Sequence, residues 1–311
     1  MSPALLVQTA LFTLFAMIAF AANAVICRWA LDGGWIDPVS FTSLRLGSGA
    51  ASLFIVMTLF AWKGSQNKIR PSSETNVSKG SWKAAFILFV YALTFSYGYV
   101  AISTATGALI LAGVVQLTMI GYALKNGDKL HGAEWVGVAL ALMGLLYLMY
   151  PKLTTPSWWG LVMVIISAYT WALYSLNGRH SLAPLKDTAY NFYRTLPMIA
   201  IASGISLLFV DVVHLTPFGV GMAIFSGGVT SGLGYILWYK ALPRISSSLA
   251  SAAQLLVPLF AAIGATLLIS EPITLRLTLA AIMMLGGLAL VIIGRNQHRK
   301  AAIKNLSQST H

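Results

Sequence analysis

The side chains of this sequence best suited to chemistry are aromatic and amide groups placed inside long apolar runs. Tyr91, Phe95 and Tyr99 recur at every fourth position, so a helix would present all three on one face. Eight further residues of these types lie within apolar runs: Asn23, Gln116, Trp171, Tyr174, Tyr235, Trp238, Tyr239 and Gln254. Aromatic walls with a few hydrogen-bonding groups suit small amphipathic solutes, amino acids among them. The set therefore predicts a substrate pathway.

Each member of this set also has a structural alternative. Aromatic side chains serve ordinary helix packing, and glutamines in the middle of apolar runs can form hydrogen bonds between helices. The sequence leaves both alternatives open.

Two arginines, Arg45 and Arg194, lie inside apolar runs, where an ionisable group is costly and therefore a candidate for function. We favour a structural or gating role for both, with each guanidinium reaching polar groups at a helix end. Direct contact with a substrate is the alternative. Glu271 stands at the end of a run and is interpreted as an anchor for a loop or a helix start.

Small and helix-breaking residues suggest how the runs pack and move. Gly228 and Gly232 have the GxxxG spacing that lets two helix backbones approach closely. Pro258 removes a helix hydrogen bond and can bend its run. A bend at Pro258 could accompany transport, with rigid packing as the alternative.

Titratable groups are scarce where chemistry inside a membrane would need them. All eight Asp and Glu and all five His fall in connections or at the edges of runs. This placement disfavours a carboxylate proton relay and favours facilitated movement or coupling through an unidentified group. A single cysteine rules out a cysteine metal cluster, and no nucleotide-binding motif occurs. We expect no cofactor, no metal, no catalytic residues and no enzymatic activity.

The composition identifies the environment of the chain. Of 311 residues, 58% are hydrophobic and 9% are charged, against about 25% charged in a typical soluble domain. A run of about 20 apolar residues spans a membrane as a helix. Ten such runs occur, at residues 5–26, 38–61, 83–103, 105–124, 132–150, 157–177, 189–210, 217–239, 246–269 and 273–294. The expected fold is an all-α integral membrane protein with ten transmembrane helices.

The basic excess follows the predicted topology. With a cytoplasmic N-terminus, fifteen of the twenty Lys and Arg fall on the inner side and three on the outer side, as the positive-inside rule requires. We therefore expect a multi-pass protein of the plasma membrane (the inner membrane of a bacterium) with both termini cytoplasmic. The net charge of +12 is explained by topology, so we expect no nucleic-acid partner.

Two halves of the sequence resemble each other. A shift of 140 residues places Phe95 on Tyr235 and Tyr99 on Tyr239, and a shift of 149 places Arg45 on Arg194. Five helices in each half would give the second half the opposite orientation in the membrane, an arrangement typical of secondary transporters. We expect a first five-helix repeat at residues 1–150, an inverted second repeat at 151–296, and a basic cytoplasmic tail at 297–311.

Several motifs are similar to those of the EamA-type branch of the drug/metabolite transporter superfamily. They are Gln254-Leu-Leu-Val-Pro258, Ile269-Ser-Glu271-Pro-Ile-Thr and Gly286-Gly287, supported by Asn23, Asp37-Pro38, Arg45 and Arg194. The first half departs from this pattern, with Thr118 in the place of Pro258 and Asp128 in that of Glu271. The resemblance covers residues 5 to 294 and implies a ten-helix carrier of small metabolites or drugs.

The sequence thus predicts a secondary transporter of small organic metabolites, amino acids or similar solutes, working by alternating access between the halves. Export as the direction follows from the resemblance alone. A multidrug exporter is the first alternative, followed by a channel and an integral membrane enzyme. The expected partners are a small-molecule substrate and the lipid bilayer, with the chain acting as a monomer or a homodimer.

Overall fold

The backbone hydrogen bonds of this chain are made almost wholly within helices, as they must be in a medium without water. The computed structural model describes residues 3–66, 79–125, 127, 132–149, 157–178, 181, 183–209, 213–241, 244–245 and 253–309. The only extended pairing among these residues is an antiparallel bridge between Ile36 and Leu215. The predicted all-helical class is therefore confirmed for the described part of the chain.

Eleven α-helices and one π-helical segment are assigned within these residues. In chain order they are α1 (Pro3–Asp32), α2 (Pro38–Gln66), α3 (Trp82–Ala101), α4 (Thr104–Lys125), α5 (Gly132–Met149), α6 (Trp158–Gly178), α7 (Pro184–Phe209), α8 (Pro217–Phe225), the π segment (Ser226–Leu233), α9 (Gly234–Ala241), α10 (Leu256–Ile269) and α11 (Leu275–Ser309). Two of the starts have local causes, since Ser81 and Thr216 cap α3 and α8 by accepting hydrogen bonds from Ala84 N and Gly219 N.

Seven stretches of the described helices are long and apolar enough to cross a membrane. They lie in α1, α2, α3, α4, α6, the continuous unit from α8 to α9, and α11. The helices α5 and α10 are apolar but shorter, and α7 carries Lys186, Asp187 and Arg194 within its length. The count of ten spans stays a prediction. The helix α11 continues to Ser309, so the predicted basic tail is helical through that residue.

Pairwise packing joins helices from the early and late parts of the chain. The helix α5 packs along α11, α2 along α7, and α4 along α10. The helix α3 packs on α6, and α1 packs on the unit from α8 to α9. Glycine permits the closest of these contacts, because a Cβ on Gly137 of α5 or on Gly287 of α11 would lie 2.5 Å from the carbonyl oxygen of the other. The boundary predicted at residues 150 and 151 lies outside the described residues.

The backbone of the π segment packs closely against α2. A Cβ on Gly227 would lie 2.0 Å from the carbonyl oxygen of Arg45, and one on Gly232 would lie 2.6 Å from Ser52 Oγ. A Cβ on Gly228, the glycine predicted from the GxxxG spacing, would lie no nearer than 3.9 Å to any neighbour. Since a π-helix closes i→i+5 hydrogen bonds, residues five apart such as Gly227 and Gly232 face α2 together. The predicted close approach occurs through a different pair of glycines.

The α-helical hydrogen bonding is also interrupted at Leu255, just before α10. Pro258 lies in the first turn of α10 and has no N–H to donate to the carbonyl oxygen of Gln254 four residues earlier. The interruption therefore lies three residues before the proline at which the sequence predicts a bend. A hinge motion there stays a prediction.

The two adjacent glycines of the π segment provide a matched test of its packing. We expect Gly227→Ala to lower the free energy of unfolding by about 1–3 kcal/mol, because overpacking forces the backbones of α2 and the π segment apart. Gly228→Ala, whose added Cβ would come no nearer than 3.9 Å to any neighbour, should leave it within about 0.5 kcal/mol of wild type. Thermal unfolding of the purified proteins in detergent measures both. Equal midpoints for the two variants would contradict the assigned contact.

Candidate functional site

A cavity of about 590 Å³ lies at the centre of the helix bundle. Side chains from α1, α2, α3, α4, α6, the π segment, α9 and residues 254–257 line it. All eleven residues predicted for a substrate pathway are among its lining residues: Asn23, Tyr91, Phe95, Tyr99, Gln116, Trp171, Tyr174, Tyr235, Trp238, Tyr239 and Gln254. The structure thus brings the whole predicted set together, in a volume suited to a small organic ligand.

Trp171 is at the centre of the aromatic wall. Its ring centroid lies 4.9 Å from that of Tyr91, 5.7 Å from that of Tyr235 and 5.9 Å from that of Tyr174. On α3 the wall continues from Tyr91 to Phe95 and from Phe95 to Tyr99, at centroid distances of 5.6 and 4.5 Å. The regular spacing predicted from the sequence therefore produces one face of contiguous rings.

On the other side of Trp171 the wall continues through α9. The Tyr235 and Tyr239 rings stack at 6.2 Å, and Tyr239 Oη accepts a hydrogen bond from Thr188. Phe20 of α1 packs against the rings of α9, with its centroid 5.7 Å from that of Tyr235 and 6.4 Å from that of Trp238. The resulting surface is largely apolar.

Amide and hydroxyl groups reach the cavity from several elements, among them α1, the π segment and α4. Asn23 is buried, and its Oδ1 accepts hydrogen bonds from Ser226 Oγ at 2.6 Å and from Thr230 Oγ1 at 3.5 Å. Gln116 and Gln254 line the cavity from α4 and from the residue before the helix interruption. Each of these amides can both donate to and accept from a ligand.

Arg45 is the only charged residue among those that line the cavity in the described part of the chain. Its residue exposure is 3%, and its guanidinium carbon lies 4.9 Å from the Phe95 ring and 5.6 Å from the Tyr91 ring. Nε donates to Ser231 Oγ and Nη2 donates to Tyr91 Oη, both at 3.4 Å. Nη1 is buried and has no hydrogen-bond partner within the described residues.

The structure places Arg194 in different surroundings from Arg45. It donates to the backbone carbonyl oxygen of Lys79, and its guanidinium carbon lies 5.8 and 5.9 Å from the rings of Trp82 and Tyr190. It is half-buried and does not line the cavity. Two arginines that the sequence predicts to lie at matching places of a repeat therefore occupy unlike sites.

One end of the cavity, which we call the closed end, is held by Arg28 and Glu271. Arg28 Nη1 donates to the carbonyl oxygens of Tyr99 and Val100 at 2.9 and 2.7 Å, and its Nε lies 3.3 Å from Glu271 Oε1. Glu271 Oε2 accepts from Thr104 N at 2.8 Å. A carboxylate at the start of α4 also interacts favourably with the helix dipole. This cluster joins α1, α3, α4 and the loop before α11.

A short backbone pairing covers the same end of the bundle. Thr216 N donates to the carbonyl oxygen of Trp35 at 3.0 Å, and Asp37 N donates to that of His214 at 3.2 Å. These bonds flank the bridge between Ile36 and Leu215 and join the loop before α2 to the loop before α8.

The opposite end, which we call the mouth, is lined by Gly178, Ser181 and Ile245 at the ends of α6 and α9. All three residues are partly exposed. The cavity therefore extends from the buried Arg45 region to the surface beside these two helix ends.

The lining residues that sequence reasoning did not assign to the pathway include Phe20, Thr230 and Ser231, and also Arg45, for which contact with a substrate was only the alternative. Threonine and serine in an apolar run indicate helix packing as readily as a site, so their type carried no signal. Asp128, the predicted counterpart of Glu271, lies outside the described residues. No group of three His, Cys, Asp or Glu side chains suited to a metal occurs within the part of the chain that the structure describes.

Comparisons with known proteins agree with this architecture. Residues 158–293 match the EamA-like transporter family. An uncharacterized protein of Pseudomonas aeruginosa is 41% identical over 93% of this chain and 96% of its own length. A protein of Escherichia coli named probable amino-acid metabolite efflux pump is 24% identical over 67% of this chain and 77% of its own length. A solved crystal structure shares the fold, with a TM-score of 0.62 and 18% identity, over 91% of this chain and 96% of that one.

The Arg28–Glu271 cluster should contribute measurably to stability. We expect Glu271→Ala to lower the free energy of unfolding by about 1–3 kcal/mol, because the change removes an acceptor from Thr104 N and the partner of a largely buried guanidinium. Asp32→Asn is the control, since Asp32 pairs with the same Arg28 at 2.8 Å but its side chain is 57% exposed. Such an exposed pair contributes about 0–1 kcal/mol. Thermal unfolding in detergent compares the two, and a wild-type midpoint for Glu271→Ala would disprove the assigned role.

Proposed function

The chain belongs to the EamA-like transporter family, and from that membership we propose that it is a secondary transporter that exports small organic metabolites, amino acids or similar amphipathic solutes. Members of this family are transporters, not enzymes. The observation that carries the proposal is the central cavity, with its aromatic wall around Trp171 and its amide and hydroxyl groups. Export, as the direction, is supported by the names of relatives in Escherichia coli and Salmonella typhimurium, both probable amino-acid metabolite efflux pumps.

Transport would proceed by exchange of conformation between two inverted five-helix halves. The helices α1, α2, α3, α4 and α5 can be paired, in that order, with α6, α7, the α8–α9 unit, α10 and α11. Under this pairing the main helix contacts map onto one another. The contact of α3 with α6 then corresponds to that of the α8–α9 unit with α1, and the contact of α4 with α6 corresponds to that of α10 with α1. The contacts α2–α7, α4–α10 and α5–α11 correspond to themselves. Such a contact map supports a two-fold relation in the membrane plane.

The contact between α1 and α3 is among those that depart from this symmetry, and its departure supports alternating access. The helices α1 and α3 pack together at the closed end, where Arg28 bonds to the end of α3. Their counterparts α6 and α9 make no comparable contact within the described residues, and the mouth lies between their ends. If the two halves exchanged conformations, the mouth would close and the closed end would open.

The positive-inside rule places the mouth on the cytoplasmic side in this proposal. Lys240 and Arg244 flank the end of α9, and Lys79 and Lys83 flank the start of α3 at the same end of the bundle. The conformation would then be inward-facing, with both termini in the cytoplasm and the protein in the plasma membrane.

The multidrug exporter is the weaker alternative for this cavity. Cationic drugs call for an acidic partner in a water-poor site, and no Asp or Glu is among the residues that line the cavity in the described part of the chain. The buried Arg45 would repel such cations.

Replacing Trp171 tests whether the aromatic wall contacts the transported solute or only supports the fold. In proteoliposomes loaded with radiolabelled amino acids, we expect Trp171→Ala to lower the initial efflux rate by at least roughly tenfold, through loss of the central ring and about 1.4 kcal/mol of binding. Trp158→Ala is the control, because Trp158 is 75% exposed at the start of the same helix. Saturable efflux that is accelerated by unlabelled solute on the opposite side would identify a carrier rather than a channel. Equal rates for the two variants would count against the cavity as the pathway.

The orientation is open to a direct test. Green fluorescent protein fused after His311 should fluoresce, because it folds on the cytoplasmic side, and alkaline phosphatase fused after Gly33 should be active, because it folds on the outer side. Fusions exchanged between the two sites provide the matched controls. Active phosphatase at the C-terminus would contradict the proposed topology.

A further inference from the structure

We infer that Arg45 forms the binding subsite for a carboxylate group of the transported solute, with the aromatic wall taking its apolar part. This inference rests on the proposed function and narrows its substrate class to amphipathic carboxylic acids, including amino acids. The observation behind it is a buried guanidinium in the cavity, one nitrogen of which has no hydrogen-bond partner among the described residues.

Arg45 has no acidic counterion among the described residues of the site. No acidic residue lines the cavity in the described ranges, and the guanidinium pairs instead with two neutral oxygens at 3.4 Å. A buried charge without a paired anion is costly in free energy. A ligand that brings one negative charge relieves this cost, whereas a cation or a neutral group does not.

The neighbours of Arg45 fix the direction in which it can bind a ligand. Ser231 Oγ engages Nε, Tyr91 Oη engages Nη2, and the Phe95 ring lies against the planar group at 4.9 Å. These contacts occupy two of the three nitrogens and leave Nη1, which is buried and has no hydrogen-bond partner in the described part of the chain. The guanidinium is thus held in one orientation before a ligand arrives, which lowers the entropy cost of binding.

A second unpartnered polar atom lies one turn along α3 from Phe95. Tyr99 Oη is buried without a hydrogen-bond partner in the described residues, and Tyr99 lines the same cavity. Its ring centroid is 4.5 Å from that of Phe95, the ring against which Arg45 lies. A hydroxyl and a guanidinium nitrogen together offer donors to the two oxygens of a carboxylate.

The single charge and the shape of the cavity favour a monocarboxylate over a phosphate ester. One guanidinium balances one negative charge, whereas a phosphate dianion would bring a second charge with no cation to meet it among the described lining residues. The contiguous rings from Tyr91 to Trp171 then accommodate an apolar or aromatic remainder of the solute.

Three probes of matched shape test the inference on the purified full-length protein: 3-phenylpropionate, 3-phenylpropanamide and 3-phenylpropylamine. Binding is followed by thermal shift and by tryptophan fluorescence at constant chloride and pH 7. We expect the carboxylate to bind at least about tenfold more tightly than the amide, and the amine to bind most weakly. Wild-type protein that binds the three probes equally overturns the inference. The inference also fails if the carboxylate does not bind at about 10 mM, because its Kd would then lie above the millimolar range.

Variants assign the preference to Arg45. We expect Arg45→Gln to abolish the difference between carboxylate and amide while amide binding persists, and Arg45→Lys to keep part of it through its point charge. Arg194→Gln, an arginine outside the cavity, should keep the wild-type ratio. An unchanged ratio in Arg45→Gln overturns the inference. If that variant does not fold, wild-type protein that binds the amine as tightly as the carboxylate does the same.

The outcomes for the subsite and for the proposed function are distinguishable. If all three probes bind equally and Trp171→Ala weakens them together, the cavity binds amphipathic solutes but has no carboxylate subsite. If Trp171→Ala leaves binding and efflux unchanged while the carboxylate preference depends on Arg45, the proposed pathway fails and the anion site stands alone.

Discussion

The close packing of α2 on the π segment is the contact on which the centre of this protein depends. Gly227 has no side chain, so the backbone of the π segment can lie against the carbonyl oxygen of Arg45, and Ser52 Oγ donates to the carbonyl oxygen of Gly228 at 2.8 Å. The same segment carries the hydroxyl groups that bind Asn23 and Arg45. One backbone contact thus positions both the polar groups and the only charge of the described cavity lining.

Irregular backbone occurs where it can be tolerated at membrane depth. Lipid offers no hydrogen bonds, so departures from the α-helix must face protein or a water-accessible cavity. Both departures in the described chain, the π segment and the interruption at Leu255, border the central cavity. The π segment contributes Thr230 and Ser231 to the lining, and the interruption places Gln254 there. Each departure therefore supplies hydrogen-bonding groups at the place where a solute would need them.

The sequence sufficed for the features that a single helix determines. The fourfold spacing of Tyr91, Phe95 and Tyr99 fixes one face of α3 whatever packs against it, and the apolar runs fix the helical class. It did not suffice where the contact depends on two helices. The GxxxG spacing assumes a regular α-helix, so it selected Gly228, whereas the π geometry presents Gly227 and Gly232 to α2. Arg45 and Arg194 gave the same signal in the sequence, yet only the packing of the π segment and α3 encloses one of them.

The Arg28 cluster indicates how a largely buried charge can keep a partner while the closed end of the cavity opens in the proposed transport cycle. Arg28 binds the end of α3 through backbone carbonyl oxygens and binds Glu271 through an ion pair. Separation of α1 from α3 would break the first set of bonds, because they are the ones that cross between these helices. The ion pair with Glu271 does not itself cross between α1 and α3, so it can persist through that movement. The guanidinium would then keep a carboxylate partner in both conformations, which avoids the free-energy cost of an unpaired charge at the membrane edge. Only neutral carbonyl oxygens would have to form new hydrogen bonds with water.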